Sequence, residues 1–227
     1  MKKLLIWDFD GVIADSEKLW VQCWDEILQS EKQIKLSDKD KHELLVGVSD
    51  KTRKERLEKH IAGLNLDNSF MSKISEREVF LGTNFMAAIS GVEDVMQNTN
   101  FEHCIATGAT EPQHKWKMTQ FQWIKKYMSE HDFFTVDMVE HGKPEPDLFL
   151  LAAHTKNYTP KECIVIGDSI NDFKAATAAG MASIAFIGAT GNNTKQYESE
   201  CKKYGVFGVS NTMNGVNILL NNWYNGR

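Results

Sequence analysis

Proline is scarce in this chain, with four residues in 227. No proline-rich spacer can be built from so few, and each proline acts as local punctuation instead. Cysteine is equally scarce. Cys23, Cys104, Cys163 and Cys201 lie far apart, with no CxxC and no Cys/His cluster, so the spacing predicts neither a disulfide framework nor a zinc site. Cys104 and Cys163 each border an apolar run, where a small buried thiol is expected. The expectation is a cytoplasmic protein with reduced thiols.

Long apolar runs are missing as well. No stretch approaches the roughly 20 apolar residues of a membrane span. The opening Met1-Lys2-Lys3-Leu4-Leu5-Ile6 has the look of a secretory signal, but its apolar run soon meets Asp8 and Asp10 and is too short for one. Positive charge is in deficit. Against 31 Asp and Glu stand 26 Lys and Arg, for a net charge of -5, which argues against general nucleic-acid binding. It does not argue against an anionic substrate, because a local metal ion can reverse the field inside a cleft. There is no internal repeat and no low-complexity tract.

What is present is an alternation of short apolar runs with helical segments. Leu4 to Trp7, Cys104 to Ala106, Ile164 to Ile166 and Ser183 to Ile187 read as strands covered on both faces, as in a parallel sheet. Phe207 to Val209 reads as a further strand near an edge. Pro112 suits a first helical turn, and the amphipathic stretch behind it predicts a helix to about Met128. Ser169 to Ala179 is alanine-rich and stops at Gly180. Alternation of this kind predicts a doubly wound α/β domain. Residues 15–88 differ: they are charged, periodic and poor in β-branched runs, with Ser37 and Ser49 as N-caps and Gly47 and Gly63 as breaks. They read as a helical insertion. Gly188 to Thr194 reads as a loop.

Acids end two of the strands. Leu4-Leu5-Ile6-Trp7-Asp8-Phe9-Asp10-Gly11-Val12 delivers Asp8 and Asp10 into a glycine turn, at the strand end where open parallel sheets bind ligands. Taken alone, two solvated loop acids would read the same way. Cys163-Ile164-Val165-Ile166-Gly167-Asp168-Ser169-Ile170-Asn171-Asp172 repeats the arrangement. Here helix capping by Asp168, with Asp172 favouring the helix dipole, is the competing reading. Ile105-Ala106-Thr107-Gly108 ends a strand in a hydroxyl and a small residue, which lets backbone N–H groups approach an anion; a plain turn reads no differently. His141-Gly142-Lys143-Pro144-Glu145-Pro146-Asp147 fixes a lysine before a helix, where a surface charge is the ordinary reading.

In order, acid pair, hydroxyl, lysine and acid pair resemble the haloacid dehalogenase superfamily across the whole chain. The segments Asp8-Phe9-Asp10-Gly11-Val12, Gly142-Lys143-Pro144-Glu145-Pro146-Asp147 and Gly167-Asp168-Ser169 carry the resemblance. It is closest to the members with a small helical cap, such as phosphoglycolate phosphatase-like and β-phosphoglucomutase-like proteins. It implies a Rossmann-like α/β core of residues 1–14 and 89–227, with a small α-helical cap domain of residues 15–88. It also implies a magnesium-dependent phosphatase that forms an aspartyl-phosphate, with a small phosphorylated metabolite as partner. Asp8 resembles the nucleophile and Asp10 the general acid and base. Thr107, Gly108 and Lys143 match the phosphate-binding positions. Asp8, Asp10 (through its carbonyl) and Asp168 match the Mg²⁺ ligands, and Asp172 matches the acid behind them.

The residue types suit that chemistry. Two unit charges ~5 Å apart repel by about 3 kcal/mol at an effective dielectric near 20, so a carboxylate nucleophile facing a phosphate dianion needs compensating cations. Oxygen ligands favour Mg²⁺ over zinc. Dehalogenase relatives lack a carboxylate two residues after the nucleophile, so Asp10 favours phosphoryl transfer. Mutase relatives carry a histidine near Trp20. Tryptophan exchanges no proton, and with Asp15-Ser16-Glu17 this favours a hydrolase, although Trp20 equally suits core packing. Two alternatives stay open: a sugar-phosphate mutase, and a catalytically silent binding protein on the same fold, against which the filling of every motif position weighs. Gly47-Val48-Ser49, Lys51 and Arg53 are candidate substrate contacts, with an N-cap followed by solvated charges as the competing reading.

Overall fold

In a computed structural model of the chain, residues 2–189 and 194–226 are described. Leu4, Leu5, Ile6 and Trp7 are all fully buried and form β1 (Leu4–Trp7). A run apolar on both faces belongs in the centre of a covered sheet. After a glycine turn and β2 (Ala14–Asp15), four helices follow: α1 (Glu17–Lys32), α2 (Asp38–Leu45), α3 (Asp50–His60) and α4 (Asn68–Phe85). The remainder alternates: β3 (Ala87–Ala88), α5 (Val92–Asn98), β4 (Glu102–Thr107), α6 (Glu111–Met118), β5 (Phe133–Thr135), α7 (Asp147–Thr155), β6 (Cys163–Gly167), α8 (Ile170–Ala178), β7 (Ala182–Phe186), α9 (Lys195–Lys202), β8 (Gly208–Ser210) and α10 (Met213–Tyr224). The fold is a doubly wound, Rossmann-like parallel α/β sheet with added helices.

The chain divides into two compact units, Met1–Asp15 with Ala88–Arg227, and Ser16–Ala87. The first holds a six-stranded sheet in the order β5-β4-β1-β6-β7-β8, every pair parallel. From β1 the chain runs outward through β4 and β5, then returns to β6 on the other side. The order therefore reverses at β1, and the crevice beyond its carboxyl end is where such sheets take ligands. Leu4, Ile6, Cys104, Phe134, Phe149 and Val165 share one buried cluster beside the sheet.

The second unit is helical. Trp24, Leu28, Leu45, Leu57, Phe70 and Ile74 form its core. Ser37 and Ser49 cap α2 and α3, their hydroxyls accepting from Asp40 N (3.1 Å) and Thr52 N (3.4 Å). Gly47 and Gly63 take positive φ at the breaks. Trp20 is buried in α1.

Two elements around the six-stranded sheet depart from the sequence-based expectation. The helix predicted from Pro112 to Met128 ends at Met118, because Thr119 Oγ1 turns back to donate to Trp116 O and Gln122 Nε2 donates to Met118 O. A 3₁₀ turn at Gln122–Lys126 follows. Phe121, Ile124 and Met128 are buried all the same, so the apolar spacing marked a buried face but not one helix. Second, β5 was not predicted; three residues at a sheet edge leave little periodicity. The competing reading of Asp168 as a helix cap falls, because α8 is capped by Ser169. All four cysteines are buried and unpaired, and burial pushes each thiol up. Of the loop expected at Gly188 to Thr194, residues 190–193 lie outside the described residues. No described helix is long and apolar enough to cross a membrane.

Candidate active site

Strand register decides where the acids fall. Trp7 stands beside Ile105 of β4 and Ile166 of β6, so Asp8, Thr107 and Asp168 all emerge at the same end of three adjacent parallel strands. The Asp8 N–H still donates to Ile166 O at 2.9 Å, so the backbone there is fixed by the sheet. Side-chain oxygens of Asp8, Asp168 and Asp172 lie within 4.8 Å of one another, and all three residues are buried.

Lys143 closes this cluster. Its Nζ donates to Asp8 Oδ1 at 2.8 Å and to Asp172 Oδ1 at 2.7 Å. The other Asp172 oxygen accepts from Ser169 N (3.1 Å) and Ser169 Oγ (2.6 Å). Asp172 thus serves the helix cap and the lysine together. Lys143 is not the surface charge its sequence context allowed, since its side chain is only 8% exposed. Glycines make room for the acids. A Cβ on Gly11 would lie 2.1 Å from Asp168 Oδ2, and one on Gly167 would lie 2.4 Å from Asp172 Cβ. Gly11 also takes φ +75°, in the left-handed region. Tyr197 Oη donates to Asp168 O at 2.6 Å and pins the end of β6.

Burial dominates the electrostatics. It pushes the Asp8 carboxyl up to about 7, against the pull of Lys143 and with the help of Asp172. Lys143 is held above the usual lysine range by Asp172 and Asp8, which outweigh its own burial. Three clustered carboxylates around one ammonium leave excess negative charge in a desolvated place. An all-oxygen donor set of this kind fits a hard divalent cation.

Asp10 is placed differently. Its carboxylate faces Lys117, whose Nζ donates to Oδ1 at 2.9 Å and Oδ2 at 2.7 Å. Sequence reasoning missed Lys117: it looks like any helical lysine, and nothing local couples it to a residue so far away in the chain. Thr107 ends β4 almost fully buried, its Oγ1 accepting from Ala109 N at 3.1 Å. Gly108 follows in an exposed turn with open space where a Cβ would be. In the helical unit, Gly47 N donates to Glu17 Oε1 at 2.8 Å. Lys51 is exposed. Arg53 is no solvated charge: it is 4% exposed and donates to Leu45 O, Asp50 and Glu17.

Fold and site together define a doubly wound parallel α/β protein with a cluster of buried carboxylates beyond the carboxyl ends of its central strands. Residues 5–186 match the model of the haloacid dehalogenase-like hydrolases, and the chain belongs to that family. Among curated relatives, YhcW of Bacillus subtilis is 30% identical over 81% of this chain and 83% of its own length. The phosphorylated carbohydrates phosphatase of Thermotoga maritima is 24% identical over 79% and 82%. The fold is shared with a crystal structure of a haloacid dehalogenase-like protein from Agrobacterium tumefaciens, at TM-score 0.82, 23% identity and 97% and 98% coverage. Within the family, the chain is an enzyme of the phosphatase kind.

Proposed function

We propose that this phosphatase hydrolyses the phosphate monoester of a small sugar-like metabolite through an aspartyl-phosphate on Asp8. The observation that carries the reading is a buried Asp8 carboxylate fixed at 2.8 Å by Lys143 at the carboxyl end of the central strand. The carbohydrate class is supported by what the Thermotoga maritima relative is named for.

A carboxylate of Asp8 attacks phosphorus, and the ester P–O bond breaks. Asp10 gives the leaving alkoxide a proton. Lys143, with the Thr107 hydroxyl and the Gly108 N–H, orients the phosphoryl oxygens and offsets their charge, which is the protein's main contribution to this reaction. Asp8, the Asp10 carbonyl and Asp168 would hold Mg²⁺, with Asp172 behind them; when bound, the ion neutralises charge between carboxylate and phosphate. With burial outweighing the pull of Lys143, Asp8 is half-protonated near neutrality, and a bound cation at its side would favour the ionised form.

A panel of sugar phosphates, assayed for released phosphate with Mg²⁺ and with chelator, tests the proposal. The expected result is cation-dependent release, with Asp8→Asn lowering kcat by at least about 10³-fold. Persistent turnover in Asp8→Asn overturns it. Migration of phosphate to another carbon, without release, would instead indicate a mutase.

A further inference from the structure

Two buried lysines divide the acids of this site. Lys143 takes Asp8 and Asp172, while Lys117 takes Asp10. The Lys117 side chain is 7% exposed, and a lysine is almost never that buried without a specific partner. Its position is rigidly set. Helix α6 starts four residues after β4 ends, behind a capping box in which Gln113 Oε1 accepts from Thr110 N at 3.0 Å. Lys117 lies two turns along, with its ammonium 5.9 Å from the centroid of the Phe9 ring. Asp10 is anchored from the other side, in the turn whose Gly11 N donates to Ala14 O at 2.8 Å.

The geometry points to Lys117 as a positioning residue for the second half of the reaction, fixing Asp10 as the acceptor of a proton from water. An ammonium bound to both oxygens fixes the plane of the carboxylate. A carboxylate offers about four lone-pair sites, and the ammonium takes one on each oxygen. As the water oxygen attacks phosphorus of the aspartyl-phosphate, one water proton passes to Asp10. The P–O bond to Asp8 breaks, its electron pair returns to the Asp8 carboxylate, and phosphate leaves. Lys117 touches none of the reacting atoms and acts through Asp10. This inference rests on the aspartyl-phosphate reading above.

The test uses para-nitrophenyl phosphate, whose leaving group needs little protonation, so that Asp8 phosphorylation is separated from its breakdown. With Lys117→Met we expect a burst of nitrophenolate near one per active site, then a steady state slowed roughly 10- to 100-fold, with kcat/KM held within about threefold of wild type. Lys117→Arg, which keeps the charge, should restore most of kcat. A purely structural role would lower kcat and kcat/KM together without a burst, and that result, or an unchanged kcat, overturns the inference. Lys117→Gln is measured alongside, and rates are normalised to burst amplitude so that partial folding does not enter. Turnover surviving in Asp8→Asn overturns the underlying reading and this inference with it. A silent Asp8→Asn beside an unaltered Lys117→Met overturns the inference alone.

Discussion

Each unit of the molecule buries a cation between carboxylates, and the two sites are built to different ends. In the helical unit Arg53 bonds Glu17 at 3.4 Å and Asp50 at 3.0 Å, and its Nε donates to Leu45 O at 2.7 Å. Asp50 also accepts from Trp24 Nε1. The planar guanidinium fork spends its donors on loop and helix, as an internal brace. In the α/β unit Lys143 is a point charge facing Asp8 and Asp172, with Asp168 close by. Among the described residues, only this second group brings three carboxylates within reach of one ion. Arg53 is held above the usual arginine range by Glu17 and Asp50 despite its burial, and its surroundings are satisfied. Burial still pushes Asp8 up despite Lys143, so its ionised form there lacks full compensation. A balanced buried cluster is costly to break, whereas an unbalanced one with perturbed carboxyls is a candidate ligand site.

The comparison breaks most sharply at its two cations. On the proposed mechanism, in which Lys143 offsets phosphoryl charge, Lys143→Met should lower kcat by roughly 10³-fold in a phosphate-release assay. Arg53→Met should instead cost about 3 to 5 kcal/mol of stability in urea unfolding, since it removes the cation that faces the buried Glu17 carboxylate and the Asp50 carboxylate. Arg53→Lys should recover only part of that, because a point charge cannot replace the fork.

A smaller effect separates stability from activity at Asp8. Its carboxyl moves from 3.8 when unfolded to about 7 when folded, so between those values the native state binds the extra proton. Metal-free wild type therefore loses stability as pH rises through that window, and Asp8→Asn does not. The inactive variant should match wild type near pH 4 and exceed it by about 2 kcal/mol above pH 7 in thermal melts, Lys143's lost partner offsetting the rest. The smallest effect is expected at His114. Both its ring nitrogens are buried without a partner, and its ring packs against Phe9 and Phe133. Burial, and then Lys117, depress its pKa from 6.5 to about 4. Below the unfolded value the unfolded chain takes up a proton that the native state refuses, so stability falls as pH drops from 6.5 towards 4. His114→Phe should gain about 1 kcal/mol at neutral pH, and more on acidification.

The outline of the fold was legible because its central strands are apolar on both faces. Leu4–Trp7 and Cys163–Gly167 could hardly be anything but covered strands, and the residues that end them are the acids. Phe133–Thr135 was not legible, because three residues at an edge carry no period. Nor was the early end of α6, which depends on one threonine hydroxyl folding back on its own helix. In the site, sequence spacing puts acids at strand ends but does not say which lysine each acid meets. Lys143 stands out by its Gly-Lys-Pro setting. Lys117 does not, because its partnership with Asp10 exists only once β1 and α6 are folded together. Arg53 likewise looks solvated until Glu17 and Asp50 close around it.

The most direct measurement is a Mg²⁺ titration of thermal stability in wild type, Asp8→Asn and Asp168→Asn. If Asp8, Asp168 and Asp172 form an unbalanced charge cluster shaped for a dication, Mg²⁺ should stabilise wild type saturably, by about 2.7 kcal/mol at a hundredfold excess over Kd. Both variants should respond far less. Equal stabilisation of all three proteins, or none in wild type, would contradict that claim.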